Sequence, residues 1–331
     1  MPIWRFIGNC LLVEKTGDSV SLHMAVHTLV TGATGFIGRR QLRPGDRALV
    51  RRPAGLDNEV ICALDDPASL AMACEDVATV FHCAGFAHAF AAGEPDVHWR
   101  INFEGTRNLL LAAGEAGVKR FVFLSSVKAM AEPGDACVDE DWPGEPVTPY
   151  GKAKRAAEDE VLEAGARYGM HVVNLRLAMV YGRSGRGNLE RLARGIQAGW
   201  FPPLPETGNR RSLVHVQDVV EVMRLVAERP EANGRTYIVA DSRAYSGREI
   251  YQAIRAALSP GAVSPAPTFT VPAGLLRTAG RLNGRLGEIV DRLIGSACYS
   301  PAHIERELGW RARTGLAEGL REMLSITGAD R

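Results

Sequence analysis

The sequence predicts a doubly wound α/β fold: a parallel sheet with helices on both faces, followed by a smaller, mostly helical cap. Three observations carry that prediction. Apolar, β-branched runs alternate with helical segments through residues 24–181. The first of these runs ends in the glycine-rich turn "TGATGFIG", Thr31–Gly38. After Tyr181 the alternation gives way to loops and helices.

Each element has its own warrant. "AVHTLVTG" is an apolar strand running into glycine; "RALVRR" and "EVICAL" are the second and third strands. "SLAMACEDV" is a short amphipathic helix, followed by the strand "ATVFHCAG". "HWRINFEGTRNLLLAAGEAG" is a long helix with Leu109, Leu110, Ala112 and Ala113 on one side, stopped by Gly117. "RFVFLSS" is a fifth strand, "YGKAKRAAEDEVLEAGARYG" a strongly helical segment and "HVVNLRLAMVYG" a sixth strand. Buried strands joined by helical crossovers imply a parallel sheet. Residues 182–331 form the substrate-binding region, with 212–216 and 235–240 partly completing the sheet. Its segments are too small for an independent core, which places them as a cap on the carboxyl edge. Residues 1–23 lack clear periodicity; with Met24 just before the first good strand, they read as an N-terminal appendage or as an upstream mis-start.

Composition narrows the function. The chain has 331 residues, 46% hydrophobic and 23% charged, enough for a packed α/β unit. A net charge of +1 gives no case for nucleic acid or an anionic membrane surface. No apolar run approaches the roughly 18 residues that would span a bilayer, and the N-terminus reads as neither signal peptide nor anchor. Cysteines 10, 62, 74, 83, 137 and 298 include no CxxC pair. They imply no metal site, and as scattered singletons they fit a reducing cytoplasm, serving as small buried apolar residues.

The turn has the spacing G-x-x-G-x-x-G at Gly32, Gly35 and Gly38. A first glycine permits a tight turn, a second lets backbone approach a pyrophosphate, and a third packs helix on strand. Placed after a strand within an αβ series, it is a dinucleotide-binding turn rather than a plain loop. Only "RRQL" separates it from "RPGDRALV", so the helix it opens is short. A helix over 35–42 would be about 12 Å long, predicting weak local stability and impaired cofactor binding. At the end of the second strand stand Arg51 and Arg52. Arginines there suit a ribose 2′-phosphate and favour NADP over NAD; otherwise they are solvated strand-end charges.

"FLSSVKAM" ends a strand with Ser125 and Ser126, and "YGKAK" puts Tyr150 and Lys154 on one helix face. A free phenol has a pKa near 10, and an adjacent ammonium favours its phenolate. Tyr150 could then exchange a proton with a sugar hydroxyl while hydride moves between that carbon and nicotinamide. Alone, Y-x-x-x-K could equally be a surface pair. Its place about 25 residues after a strand-end serine pair, downstream of a glycine turn, gives it weight.

With "TGATGFIG", "VFHCAG", "INFEGTRNLLLAA", "GVKRFVFLSS", "YGKAK", "LRLAMVYG" and "RRSLVHVQDVV", the chain resembles the extended short-chain dehydrogenase/reductases of the NAD(P)-dependent nucleotide-sugar epimerase/dehydratase family over roughly residues 25–325. The resemblance is nearest to the bacterial polysaccharide-biosynthesis branch, with its UDP-N-acetylhexosamine 4-epimerases and 4-keto-sugar reductases. It implies a Rossmann domain over 24–181, with Tyr150 as acid/base, Lys154 holding the nicotinamide ribose and lowering the Tyr150 pKa, and Ser126 bonding the substrate oxygen. It further implies that Gly32, Gly35, Phe36, Ile37 and Gly38 line the pyrophosphate. Ala84 and Gly85 would pass the cofactor with their backbone, and Asn102 would be structural. Ser125 would be a lesser substrate neighbour, and Asn188 and Arg211 would contact the nucleotide diphosphate.

The chain departs from the family pattern at the shortened first helix. Ala63 and Leu64 stand where an acidic residue usually lies near the adenine, and "LRLAMVYG" lacks a proline after its arginine. His215 reads as structural and Cys83 as packing. His82 and His88 have no partner visible in the sequence, and Arg183, Arg186 and Arg210 suit either diphosphate or solvent. The expected activity is epimerisation at C4 of a UDP-activated hexose or N-acetylhexosamine. The alternatives are an NADPH-dependent 4-keto-sugar reductase and a non-catalytic dinucleotide-binding protein. A nucleotide-diphosphate sugar is the expected partner, and a homodimer through the helices around 105–114 and 154–164 the expected assembly.

Overall fold

The computed structural model describes residues 4–7, 10–13, 27–87, 96–185, 187–199, 201–258, 272, 274 and 295–325. Within the first half, β3 (His27–Thr31), β4 (Arg47–Val50), β5 (Glu59–Ile61), β6 (Val77–His82), β7 (Arg120–Ser126) and β9 (His171–Leu177) alternate with helices. Those helices are α1 (Gly38–Gln41), α2 (Pro67–Cys74), α3 (Gly105–Glu115) and α4 (Pro149–Tyr168). A π-helical turn, Trp99–Glu104, leads into α3. Together with β12 (Arg235–Val239) the strands make a seven-stranded sheet in the order β12-β9-β7-β6-β3-β4-β5, parallel throughout.

Strand periodicity explains why both faces are covered. Leu29, Leu49, Val80, Phe121 and Phe123 point to one side, against α2, α3 and α4. Their neighbours Val30, Ala48, Val50, Phe81 and Val122 point to the other, against α6 (Val216–Glu228). Successive residues on opposite faces, both apolar, are the mark of a strand buried on two sides. From β3 the chain winds one way to β4 and β5, then crosses back to β6, β7 and β9. The reversal opens a crevice at the carboxyl ends of β3 and β6, where ligands of such sheets bind.

Several elements differ from the sequence reading. The sixth strand is broken at Ala178: β9 stays in the sheet, whereas β10 (Met179–Tyr181) leaves it and pairs with β11 (Leu213–His215). Residues 212–216 therefore do not extend the main sheet; β12 does, beside β9. The cap also has a core of its own. α5 (Asn188–Gln197), α7 (Gly247–Ala257) and α9 (Leu316–Leu324) enclose Ile196, Ile250, Ile254 and Leu320, with Tyr181 and Leu213 at its floor. The α7 N-terminus carries a reciprocal cap between Ser246 and Glu249. α8 (Ala302–Leu308) packs Ile304 and Leu308 onto the sheet side instead. Where no periodicity was visible, β1 (Trp4–Ile7) and β2 (Cys10–Val13) pair antiparallel.

Not all the cysteines are singletons. Cys137 and Cys298 form a disulfide across the short parallel pair β8 (Cys137–Val138) and β13 (Cys298–Tyr299). They lie 161 residues apart, so their pairing is invisible to spacing rules. Cys62 and Cys74 are buried and free, and Cys83 is free and partly buried. Among the described residues, no helix is long and apolar enough to cross a membrane.

Candidate functional site

The turn after β3 is built on steric exclusion. Gly32 has φ +63°, and a Cβ there would lie 2.8 Å from the Ala84 nitrogen. A Cβ on Gly38 would lie 2.2 Å from the Gly32 carbonyl oxygen, and one on Gly35 2.9 Å from it. The three glycines thus pack the turn onto itself and onto the strand-end loop at Ala84. The Gly35 N–H closes the turn on the Gly32 carbonyl at 2.8 Å. Gly35 itself is exposed, while Phe36 and Ile37 are partly buried.

α1 is only four residues long and has no side-chain cap. Its remaining support comes from elsewhere. Arg224 on α6 donates to the Arg40 and Gln41 carbonyls at 3.3 and 3.1 Å. Arg40 lies 4.7 Å over the Phe36 ring and donates to the Phe36 and Arg183 carbonyls. Arg51 and Arg52 are exposed beyond the end of β4. Ala63 is exposed, and Leu64 packs under Gly105 and accepts from the Asn108 amide at 3.0 Å. Of the two acids beyond them, Asp65 pairs loosely with Arg100 at 3.9 Å and Asp66 caps α2.

Ser126, Tyr150 and Lys154 meet at the carboxyl end of β7. Thr148 caps α4 and Pro149 opens it, fixing Tyr150 in the first turn. The Tyr150 hydroxyl faces the Ser126 side chain, and its ring meets His98 edge-on at 5.7 Å. One turn on, Lys154 is buried; its Nζ donates to the Leu124 carbonyl at 2.8 Å and sits 4.4 Å over the Phe123 ring. A Cβ on Gly85 would lie 3.5 Å from that Nζ and 3.2 Å from Asn102 Oδ1. Asn102 holds the Phe86 backbone through both its amide groups, at 2.8 and 2.9 Å.

The electrostatics differ from the expectation in one respect. Burial raises the Tyr150 phenol above its ordinary range, and the nearby Ser126 hydroxyl only partly opposes it. Lys154 was expected to lower it. Its ammonium is instead directed at Leu124 and Phe123, and burial brings it down to about 8, against the pull of Glu158. The ligand-free phenol is therefore a proton donor near neutrality.

Other expected residues are placed differently. Ser125 is buried, and its hydroxyl donates to Glu158 Oε1 at 2.5 Å, away from Tyr150. Glu158 in turn forms a buried ion pair with Arg176 at 2.8 Å. Strand alternation explains this: of two adjacent serines only one can face the site. Asn188 is exposed at the start of α5. Arg211 is partly buried in the cap wall, its guanidinium donating to the Gly295 carbonyl at 2.8 Å. Arg210 is exposed and donates to the Asp135 carbonyl. His215 is fully buried, 3.4 Å from Glu322. His88 and Arg186 lie outside the described residues.

The sequence reading missed Glu158, which a longer look at one helix face would have found, since it follows Lys154 by four residues. It also missed Arg224 and the disulfide, for which no local signal exists. No group of three metal-ligating side chains occurs among the described residues.

A glycine turn at the switch point of a parallel, doubly wound sheet defines a Rossmann-type dinucleotide-binding protein. More particularly, residues 28–240 match the NAD dependent epimerase/dehydratase family, and the chain belongs to that family. It is 29% identical to a UDP-glucose 4-epimerase of Vibrio cholerae, over 93% of this chain and 96% of that protein. It is 26% identical to N-acetyl-alpha-D-glucosaminyl-diphospho-ditrans,octacis-undecaprenol 4-epimerase of Escherichia coli O157:H7, over 81% of each. Among solved structures, MoeE5 in complex with UDP-glucuronic acid and NAD superposes with a TM-score of 0.72 at 27% identity, covering 90% of this chain and 97% of that one. The resemblance read from the motifs and the α/β architecture thus stand, as does the chain's place among enzymes.

Proposed function

We propose that this enzyme epimerises C4 of a UDP-activated hexose or N-acetylhexosamine, using a tightly held NAD(P). The observation that carries the reading is the meeting of Ser126, Tyr150 and Lys154 beside the Ala84–Gly85 backbone, within reach of the glycine turn. The turn fits a dinucleotide: without Cβ atoms it closes tightly on the Gly32 carbonyl, and Gly35 remains exposed. Gly32, Gly35, Phe36, Ile37 and Gly38 would hold the pyrophosphate, and Lys154 the nicotinamide ribose. Arg51 and Arg52 would meet a 2′-phosphate, which favours NADP. Ala63 and Leu64 would flank the adenine.

When bound, the oxidised cofactor supplies a hydride acceptor and a positive charge. Tyr150 takes the proton from the C4 hydroxyl, with Ser126 bonded to the same oxygen, and returns it once the keto sugar has turned its other face. Burial alone keeps the phenol protonated, so its basic role depends on added positive charge. Arg211 and Asn188 would grip the substrate diphosphate, a group also present in the lipid-linked sugar named for the Escherichia coli relative. A homodimer through α3 and α4 is the expected assembly; the cytoplasm, expected from unpaired cysteines, loses that argument to the Cys137–Cys298 disulfide.

Full-length protein mixed with UDP-glucose or UDP-N-acetylglucosamine, without added cofactor, should yield the 4-epimer. A second reading, an NADPH-dependent 4-keto-sugar reductase, is favoured by the exposed Arg51 and Arg52. Stoichiometric NADPH oxidation on a UDP-4-keto sugar, with no epimer formed, would replace the first reading by the second.

A further inference from the structure

We propose that His82 is a positioning residue for the dinucleotide: its neutral imidazole sets the spacing between the glycine turn and the loop that separates that turn from Lys154. This rests on the reading of the site as a nicotinamide-dependent one.

His82 ends β6 and is fully buried. It stands directly across from Thr31, the last residue before Gly32. Its Nδ1 lies 2.6 Å from Thr31 Oγ1, and its Nε2 2.9 Å from Thr106 Oγ1 on α3. One assignment of protons satisfies every group in the chain. The Thr106 hydroxyl donates to the Asn102 carbonyl at 2.8 Å, so its oxygen must accept from His82 Nε2–H. Thr31 Oγ1 accepts the Ala84 N–H at 3.1 Å, leaving its own proton for His82 Nδ1. The imidazole is therefore the neutral Nε2–H tautomer. Burial and the nearby Lys154 ammonium hold it there, pushing its pKa to about 3. The Phe123 ring stacks on it, with centroids 5.6 Å apart.

Both ends of this chain terminate on one short loop. Through Thr31, His82 holds the Ala84 amide. Through Thr106 and Asn102 it holds the Phe86 amide and carbonyl. Between them lies Gly85, facing Lys154 Nζ, and Ala84 is the backbone against which Gly32 packs. A single ring thus spans the two halves of the dinucleotide crevice. Hydrogen bonds of fixed polarity in a buried site resist rearrangement, which makes the spacing stiff.

The test compares three full-length variants with the wild type by NADH fluorescence titration and side-chain ¹⁵N–¹H NMR. His82→Gln keeps a donor near Thr106, His82→Asn keeps an acceptor near Thr31, and His82→Phe removes both while keeping a ring over Phe123. In the wild type, one histidine, absent from the His82→Gln spectrum, should be an Nε2–H tautomer whose shifts stay constant from pH 5 to 9. His82→Phe should weaken NADH binding at least about tenfold, with His82→Gln and His82→Asn each recovering part of the loss. A folded His82→Phe that binds NADH like the wild type overturns the proposal, as does an Nδ1–H tautomer or an imidazole that titrates near neutrality. If His82→Phe does not fold, the tautomer and the two amide variants decide. A wild type that binds no dinucleotide sinks the functional reading itself, and this proposal with it.

Discussion

α1 and α4 both open onto the site, yet they are held there by different means. α4 runs for 20 residues, starts on a Thr148 cap with Pro149 behind it and stops at Gly169 in the left-handed region. α1 has four residues and no side-chain cap, and its last carbonyls are taken by Arg224 from α6. A helix of one turn is not stable by itself in water. The geometry of α4 is therefore encoded along its own sequence, whereas that of α1 is imposed from across the fold. The shortened helix predicted weak local stability; the arginine from α6 is how the fold compensates.

The largest expected effect lies on the self-sufficient side. Tyr150→Phe leaves every cap of α4 in place and removes one hydroxyl. Turnover should fall about 10³-fold, the range for losing an acid/base group, while NADH affinity and the unfolding midpoint change little. Turnover within tenfold of the wild type would remove Tyr150 from the mechanism.

The cap repeats the contrast. β8 and β13 are two-residue strands, too short to pair unaided, and the Cys137–Cys298 bond joins them. The same segment carries Gly295, which receives Arg211, and Ala297, which bridges to Arg210 and Ser212. A bond closing so long a loop contributes typically about 2–4 kcal/mol. Cys137→Ser, or reduction with dithiothreitol, should lower unfolding stability by about that much and weaken UDP binding. Urea melts with and without reductant check the first, calorimetry with UDP the second. Coincident melts would mean the bond contributes nothing.

Lys154→Met sharpens the comparison within α4. The ammonium sits at about 8 in the fold against an ordinary 10.5. The unfolded chain binds that proton more tightly, so wild-type stability rises with pH between about 8 and 10.5. Below that window the burial penalty is complete, about 3 kcal/mol for a gap of about 2.5 pH units. At pH 7 the variant should be the more stable protein, the difference closing by about pH 10.5, while its NADH affinity drops. Equal stability at pH 7 and pH 10 would refute the burial argument.

Legibility followed the same division. The alternating strands and the glycine turn were readable because each depends on residues close in sequence, as does the shared helix face of Tyr150 and Lys154. The two-residue period of a strand puts Ser125 and Ser126 on opposite faces, and the fold decides which of them meets Tyr150. What could not be read joins distant positions: His82 with Thr31 and Thr106, Cys137 with Cys298, Arg224 with the end of α1. The core of the cap was underestimated for the same reason. α5, α7 and α9 each present a modest apolar face, and only their assembly around Tyr181 and Leu213 makes an interior.

The smallest effects test the comparison most directly. Thr148→Ala removes the side chain that accepts the Gly151 N–H at 3.0 Å. Loss of such a cap costs about 1 kcal/mol. The long packed face of α4 should keep Tyr150 and Lys154 in place, so NADH affinity stays within about twofold. Arg224→Met removes two charge-assisted bonds to the α1 carbonyls, a loss of about 2 kcal/mol. Because Arg224 takes the last α1 carbonyls, this change should also weaken NADH binding, although Arg224 lies on α6 and supports the turn only from behind. The ratio of affinity loss to stability loss is the discriminating quantity: near zero for Thr148→Ala, substantial for Arg224→Met. Equal ratios would mean that α1 keeps its place without the arginine, and that the contrast between the two helices is one of length alone.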